Sequence, residues 1–163
     1  MGTVMKAQPR VVTDDLLNFL KAYYRLDWKG IHGVKHWSRV RANGLAMVKE
    51  NDANAVVVEL FAFLHDICRE NDGHDPNHGH RAADLARQIQ GNLINLPASD
   101  LDLLVIACQG HTHEPWHHDP TIGTCWDADR LDLTRIDIIP DPNRLCTRAG
   151  KARCLEIIER LEP

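Results

Sequence analysis

His65 and Asp66 stand side by side at the end of an apolar run, 56–64, that is expected to be buried. A carboxylate buried without a partner is costly and would protonate instead. A divalent cation removes that penalty, so the pair is suited to gripping a metal where a helix meets a cleft. Further donors lie on both sides. Upstream, the segment HGVKHWSRV puts His32 and His36 one helical turn apart, able to share a face. Downstream come His80, then His111 and His113, then Asp127 and Asp129 in WDADRLD. All ten histidines fall between His32 and His118, a distribution that favours a shared site. Imidazoles mixed with carboxylates suit Mn, Fe, Co, Ni or Zn, one ion or two, better than Mg, which prefers oxygen ligands and remains the alternative. Such an ion lowers the pKa of water, toward ~7 in the best zinc cases, and neutralises a phosphate oxygen. That chemistry points to hydrolysis at phosphorus.

The elements that must position these groups read as helices almost throughout, and no convincing strand alternation appears. Thr13 caps a first helix with Asp14 and Asp15 in its first turn and an apolar stripe of Leu16, Leu17, Phe19, Leu20, Tyr23 and Tyr24. A second runs from near Gly33 to about Glu50. Asp52 or Asn54 caps a third through Val57, Leu60, Phe61 and Leu64, whose wide apolar face places it at the centre. Asp75-Pro76 reads as an N-cap and first helical residue, opening a fourth helix to about Asn92. Ser99 with Asp102 resembles a capping box for a fifth, closed by Gly110 and Pro115. WDADRLDLTRI lies on another helix, and a last amphipathic one spans Thr147 to Leu161. The expectation is an all-α fold, a compact bundle of about six to seven helices forming one domain over residues 1–163.

The formal net charge of -4 gives no electrostatic case for duplex nucleic acid or an anionic membrane. The opening residues carry no apolar signal core, and Lys6 stands where an acylation site wants Ser or Thr. Five cysteines without a C-x-x-C pair read as reduced, packed thiols. Together these predict a cytoplasmic protein.

The ordered set H…HD…H…H…D resembles the HD-domain superfamily of metal-dependent phosphohydrolases, over roughly residues 30 to 135. His36-Trp37-Ser38-Arg39-Val40, the doublet after an apolar helix, and Ala128-Asp129-Arg130-Leu131 carry the likeness. The resemblance implies His36, His65, Asp66 and Asp129 as metal ligands, with Asp129 preferred over Asp127 because the family's closing aspartate sits in A-D-x-L. It places His80 and His111 at a second ion, with His113 a substitute for His111. Asp127 is then a partner that orients a ligand histidine, and His32 a hydrogen-bonding neighbour. Asp66 doubles as proton acceptor. Arg69 and Arg130 are candidates to clamp a phosphate. Single-metal nucleotidases of the family carry Glu where Arg69 stands, and the Gly-Tyr-Pro loop of the cyclic-dinucleotide branch is missing. The nearest likeness is to small stand-alone members. The implied activity is that of a phosphomonoesterase, phosphodiesterase or nucleotide pyrophosphohydrolase acting on a nucleotide or small phosphorylated metabolite. A mixed-valent di-iron oxygenase and a non-catalytic metal or nucleotide sensor are the competing readings.

Overall fold

The computed structural model describes residues 10–162, so most of the N-terminal stretch read above for a leader or acyl site lies outside the described residues. Helix α1 (Asp14–Tyr23) starts at Thr13, whose hydroxyl accepts from the Leu16 amide, and buries Leu16 and Leu20. Helix α2 (Val34–Val48) follows Gly33 and buries His36, Trp37, Val40, Gly44 and Met47, a spacing of three and four that lays one stripe inward. Helix α3 (Ala55–Leu64) is capped by Asn54, which accepts from the Val56 and Val57 amides. Seven of its ten residues are buried, which fits a helix with others packed on all sides. Burial of a Leu or Phe side chain contributes about 1.5–3 kcal/mol, so Leu60, Phe61 and Leu64 anchor the bundle.

Helix α4 (His78–Ile89) packs extensively on α5 (Ala98–Gly110), and α2 on α3 and on α6 (Pro120–Arg130). Gly79 permits the first of these contacts, because a Cβ there would run into the Cys108 carbonyl. Asp119 caps α6 and Pro120 takes its first position, where a missing N–H costs nothing. Two short 3-10 turns, Leu133–Ile136 and Pro142–Arg144, lead to α7 (Arg148–Leu161). The architecture is all-α, and its only extended pairing among the described residues is an isolated bridge between Gln90 and Ile94. No described helix is long and apolar enough to cross a membrane.

Two expected helix starts are displaced. Asp75 does not cap α4; its carboxylate accepts from the Glu70 amide at 2.9 Å and from Arg81 at 2.7 and 2.8 Å, and the helix begins after Asn77. Helix α5 begins at Ala98, after Pro97, with no side-chain cap, so Ser99 lies inside the first turn. In both places a proline stands beside the displaced start; Asp75 is held by Glu70 and Arg81, and Ser99 is exposed.

Candidate metal centre

The apolar run of α3 ends where its chemistry begins. His65 is the residue at which the helix stops, and its ring stacks on Phe61 with centroids 4.9 Å apart. Its Nδ1 reaches back to the Phe61 and Ala62 carbonyls at 3.1 and 3.2 Å. The Phe61 carbonyl also accepts the His65 amide, while that of Ala62 is among those a helix C-terminus leaves without an amide. His111 repeats the arrangement at the end of α5, with Nδ1 on the Cys108 carbonyl at 2.7 Å. His78, first in α4, points Nδ1 at the Asp75 carbonyl. His36, inside α2, sets Nδ1 against Asp132 Oδ2 at 2.7 Å. Asp132 is held in turn by Arg39 Nε at 2.7 Å.

Carbonyls and carboxylates only accept, so each Nδ1 carries a proton and each neutral ring presents a bare lone pair at Nε2. Those four lone pairs converge. His36 and His65 bring their Nε2 atoms within 3.0 Å, and His78 and His111 within 2.9 Å. Asp66 lies between the two pairs. Its Oδ2 is 3.6 and 3.5 Å from His36 and His65, while its Oδ1 is 3.1 and 3.6 Å from His78 and His111. Asp129 Oδ1 adds a further oxygen, 3.2 Å from His36 and 3.6 Å from His65. Lone pairs and carboxylates cannot face one another at these distances without positive charge between them. Protons on the rings or bound cations are the two ways to supply it. The mixed nitrogen and oxygen donors, all from buried or nearly buried side chains, fit a divalent transition metal.

Where protons on the rings supply that charge, they also set the ionisation of the carboxylates. Burial alone raises Asp66, but the charge of His65 and hydrogen bonds from His111, His32 and His78 hold it well below the usual carboxylate range. Asp129 likewise resists burial through His36 and His65. Burial lowers His36, and hydrogen bonds to Asp129 and Asp132 outweigh it and raise the ring.

The expected ligands His36, His65, Asp66 and Asp129 come together, and so does His111. His80 does not. It is exposed on the outer side of α4, and His78 occupies the place expected of it. The signal was legible: His78 shares the apolar stripe of Ala82, Leu85, Ala86 and Ile89, whereas His80 lines up with Asp84 and Arg87. His113 is exposed, with Nε2 on the Pro76 carbonyl. Asp127 orients no histidine. It accepts from the Cys146 and Thr147 amides at 2.6 and 2.7 Å and from the Thr147 hydroxyl at 2.7 Å, tying α6 to the start of α7. Gly150 is needed there because a Cβ would strike that carboxylate. The orienting role falls to Asp132, three residues beyond Asp129, which the motif alone did not single out. Arg130 is no phosphate clamp either. Its guanidinium donates to the carbonyls of Glu114, Pro115 and Arg144.

His32 and Arg69 do reach the centre. His32 Nδ1 lies 3.1 Å from Asp66 Oδ2, with Nε2 at the Asp72 carbonyl. Arg69 Nε donates to Asp66 Oδ1 at 3.1 Å, and its Nη1 to the Asn71 and Gly73 carbonyls. Both line a cavity of about 430 Å³ that opens onto Asp66, Asp129 and His111. Small-molecule sites have this scale and this mixture of a few charged groups with an apolar surround.

No protein-family model matches the sequence, and no curated protein matches it significantly. The fold is found again in the crystal structure of a predicted HD superfamily hydrolase from an uncultured Thermotogales bacterium. The two superpose with a TM-score of 0.69 at 20% identity, over 90% of this chain and 88% of that one. The chain thus shares the fold of an HD superfamily hydrolase, in support of the resemblance read from its motifs, and it carries two buried His/Asp clusters able to hold metal.

Proposed function

We propose that this protein is a metal-dependent phosphohydrolase, cleaving a phosphate ester or anhydride of a small phosphorylated metabolite. The observation that carries the reading is the convergence of four imidazole Nε2 atoms on the two oxygens of one buried carboxylate, beside an arginine-bearing cavity. In this reading His36, His65, Asp66 and Asp129 hold one divalent ion, and Asp66, His78 and His111 hold a second. A bound transition-metal ion supplies Lewis acidity, making water acidic and neutralising charge on a phosphoryl oxygen.

The chain's own groups do the rest. Asp66 serves as the shared ligand. Both its oxygens are engaged, so the proton-acceptor role expected from the motif is not carried forward. Arg69 fixes Asp66 through Nε, and among the described residues nothing accepts from its Nη2, which is left for an anionic substrate oxygen. His32 braces Asp66 through Nδ1 at Oδ2, with its Nε2 at the Asp72 carbonyl. The buried rings close the back of the site against bulk water.

The second cluster also favours a second reading, the mixed-valent di-iron oxygenase chemistry that uses the same ligand order. Elemental analysis of the purified protein, phosphate release across a panel of phosphate esters with Mn, Co, Ni and Mg, and oxygen uptake with iron separate the two. We expect phosphate release that Asp66→Ala abolishes while helical content is retained. Release at the wild-type rate in that variant would sink the proposal, and oxygen uptake without release would transfer it to the oxygenase.

A further inference from the structure

We infer that the site recognises an anionic head joined to an aliphatic body, and not a nucleotide; the identity of the head rests on the phosphohydrolase reading. The cavity is lined by two kinds of residue. Around the metal cluster it is cationic. Arg69 and Arg135 each leave Nη2 without an acceptor among the described residues, and the exposed Arg144 has no side-chain partner there. Asp141 is the opposing charge away from the cluster, and its carboxylate is turned to the Asn143 amide.

The rest of the lining is aliphatic: Leu133, Ile136, Ile138, Ile139 and Leu145. Ile138 and Ile139 are 48% and 59% exposed, an adjacent apolar pair held in water at the cavity. The segment is fixed. Arg135 Nε donates to the Ile31 carbonyl at 2.9 Å and its Nη1 to the Asp132 carbonyl at 3.0 Å. Asp137, at φ 59°, then turns the chain in the left-handed region that aspartate tolerates better than most residues. Exposed apolar surface beside a charged site is what a ligand with an apolar portion would cover.

The lining has no Phe, Tyr or Trp to stack on a nucleobase. Bases are held by stacking on aromatic rings and by amide or backbone partners to their edges. Trp37 and Trp126 are buried in the core, Trp116 is exposed outside the cavity, and no Asn or Gln lines it. Thr112 is its one neutral polar side chain.

The test uses linear alkylphosphonic acids, methyl to hexyl, titrated by calorimetry into the Mn-loaded protein. These acids resist hydrolysis, so they report recognition whether or not the protein turns over. Affinity is expected to rise about fourfold per methylene over the first few carbons, the equivalent of ~0.8 kcal/mol for each buried CH₂. The Ile138→Asn/Ile139→Asn double variant should flatten that series, and adenosine monophosphate should bind more weakly than hexylphosphonate. A flat series, or adenosine monophosphate binding more tightly than hexylphosphonate, overturns the inference. A parallel phosphate-release assay keeps the two claims apart. Length-dependent binding with no hydrolysis of any ester removes the phosphohydrolase reading alone, whereas faster hydrolysis of nucleotides than of alkyl phosphates removes this inference alone.

Discussion

The two halves of the site are built by different means. His36 and His65, with Asp129, form a half in which a side-chain relay, Arg39 to Asp132 to His36, fixes the key ring. His78 and His111 form a half whose rings have Nδ1 oriented by backbone carbonyls, at Asp75 and Cys108. The first half has two carboxylates and the second must share Asp66. A carboxylate partner raises the basicity of a ligand histidine and a carbonyl does so less. On the proposed reading the first half would bind its ion tightly and the second more loosely, in a position that depends on how closely α4 approaches α5.

The largest effect should come from dividing the halves. His36→Ala should lose phosphate release entirely and bind at most the second ion. His78→Ala should lower metal content by one equivalent and leave the first ion in place, and His80→Ala should leave both. Metal analysis after dialysis reads all three, and loss of both ions in His78→Ala would show that the halves do not bind independently. Next in size, Asp132→Asn should weaken the first ion by ~10–100-fold without changing the second. Competition with a chromophoric chelator measures it. An unchanged affinity would mean that Asp132 only braces Arg39.

Gly79→Ala sharpens the comparison from the other side. The added methyl meets the Cys108 carbonyl, so α4 must move off α5 and His78 with it. Overpacking of this kind costs about 1–3 kcal/mol; thermal melting should show that loss together with loss of the second ion only. The smallest effect concerns the loop before α4. Burial raises Asp75, but the Glu70 amide and Arg81 outweigh it and hold the carboxyl below its usual value. A depressed carboxyl stabilises the fold above its unfolded pKa of ~3.9, and that contribution is lost as pH falls through the lower folded value. Asp75→Asn should thus destabilise the protein by roughly 1–2 kcal/mol at neutral pH, with the gap to wild type closing below pH ~4 in denaturant titrations. A gap independent of pH would assign the effect to packing.

The local signals were legible where one residue decides the outcome. Thr13 and Asn54 cap the helices they were expected to cap, and Thr147 precedes the last. His36, His65, Asp66, His111 and Asp129 were legible because a buried imidazole or carboxylate is too costly without a purpose, and because their order follows a known pattern. The failures share a cause. Asp75, Asp127 and Arg130 have ordinary local uses, and each is instead held by other groups: Asp75 by the Glu70 amide and Arg81 across its own loop, Asp127 by the start of α7, and Arg130 by the carbonyls of two loops.

By itself the sequence determined a helical chain with a set of His and Asp donors able to hold a metal, since periodicity and the desolvation cost of charge are properties of short segments. The tertiary structure decided that His78 and His111 come to share Asp66, that Asp132 orients His36, and that isoleucines line the cavity beyond it. Those choices depend on how closely two helices pack and on which unpaired hydrogen-bonding groups are brought opposite one another, and neither is encoded within one turn of chain.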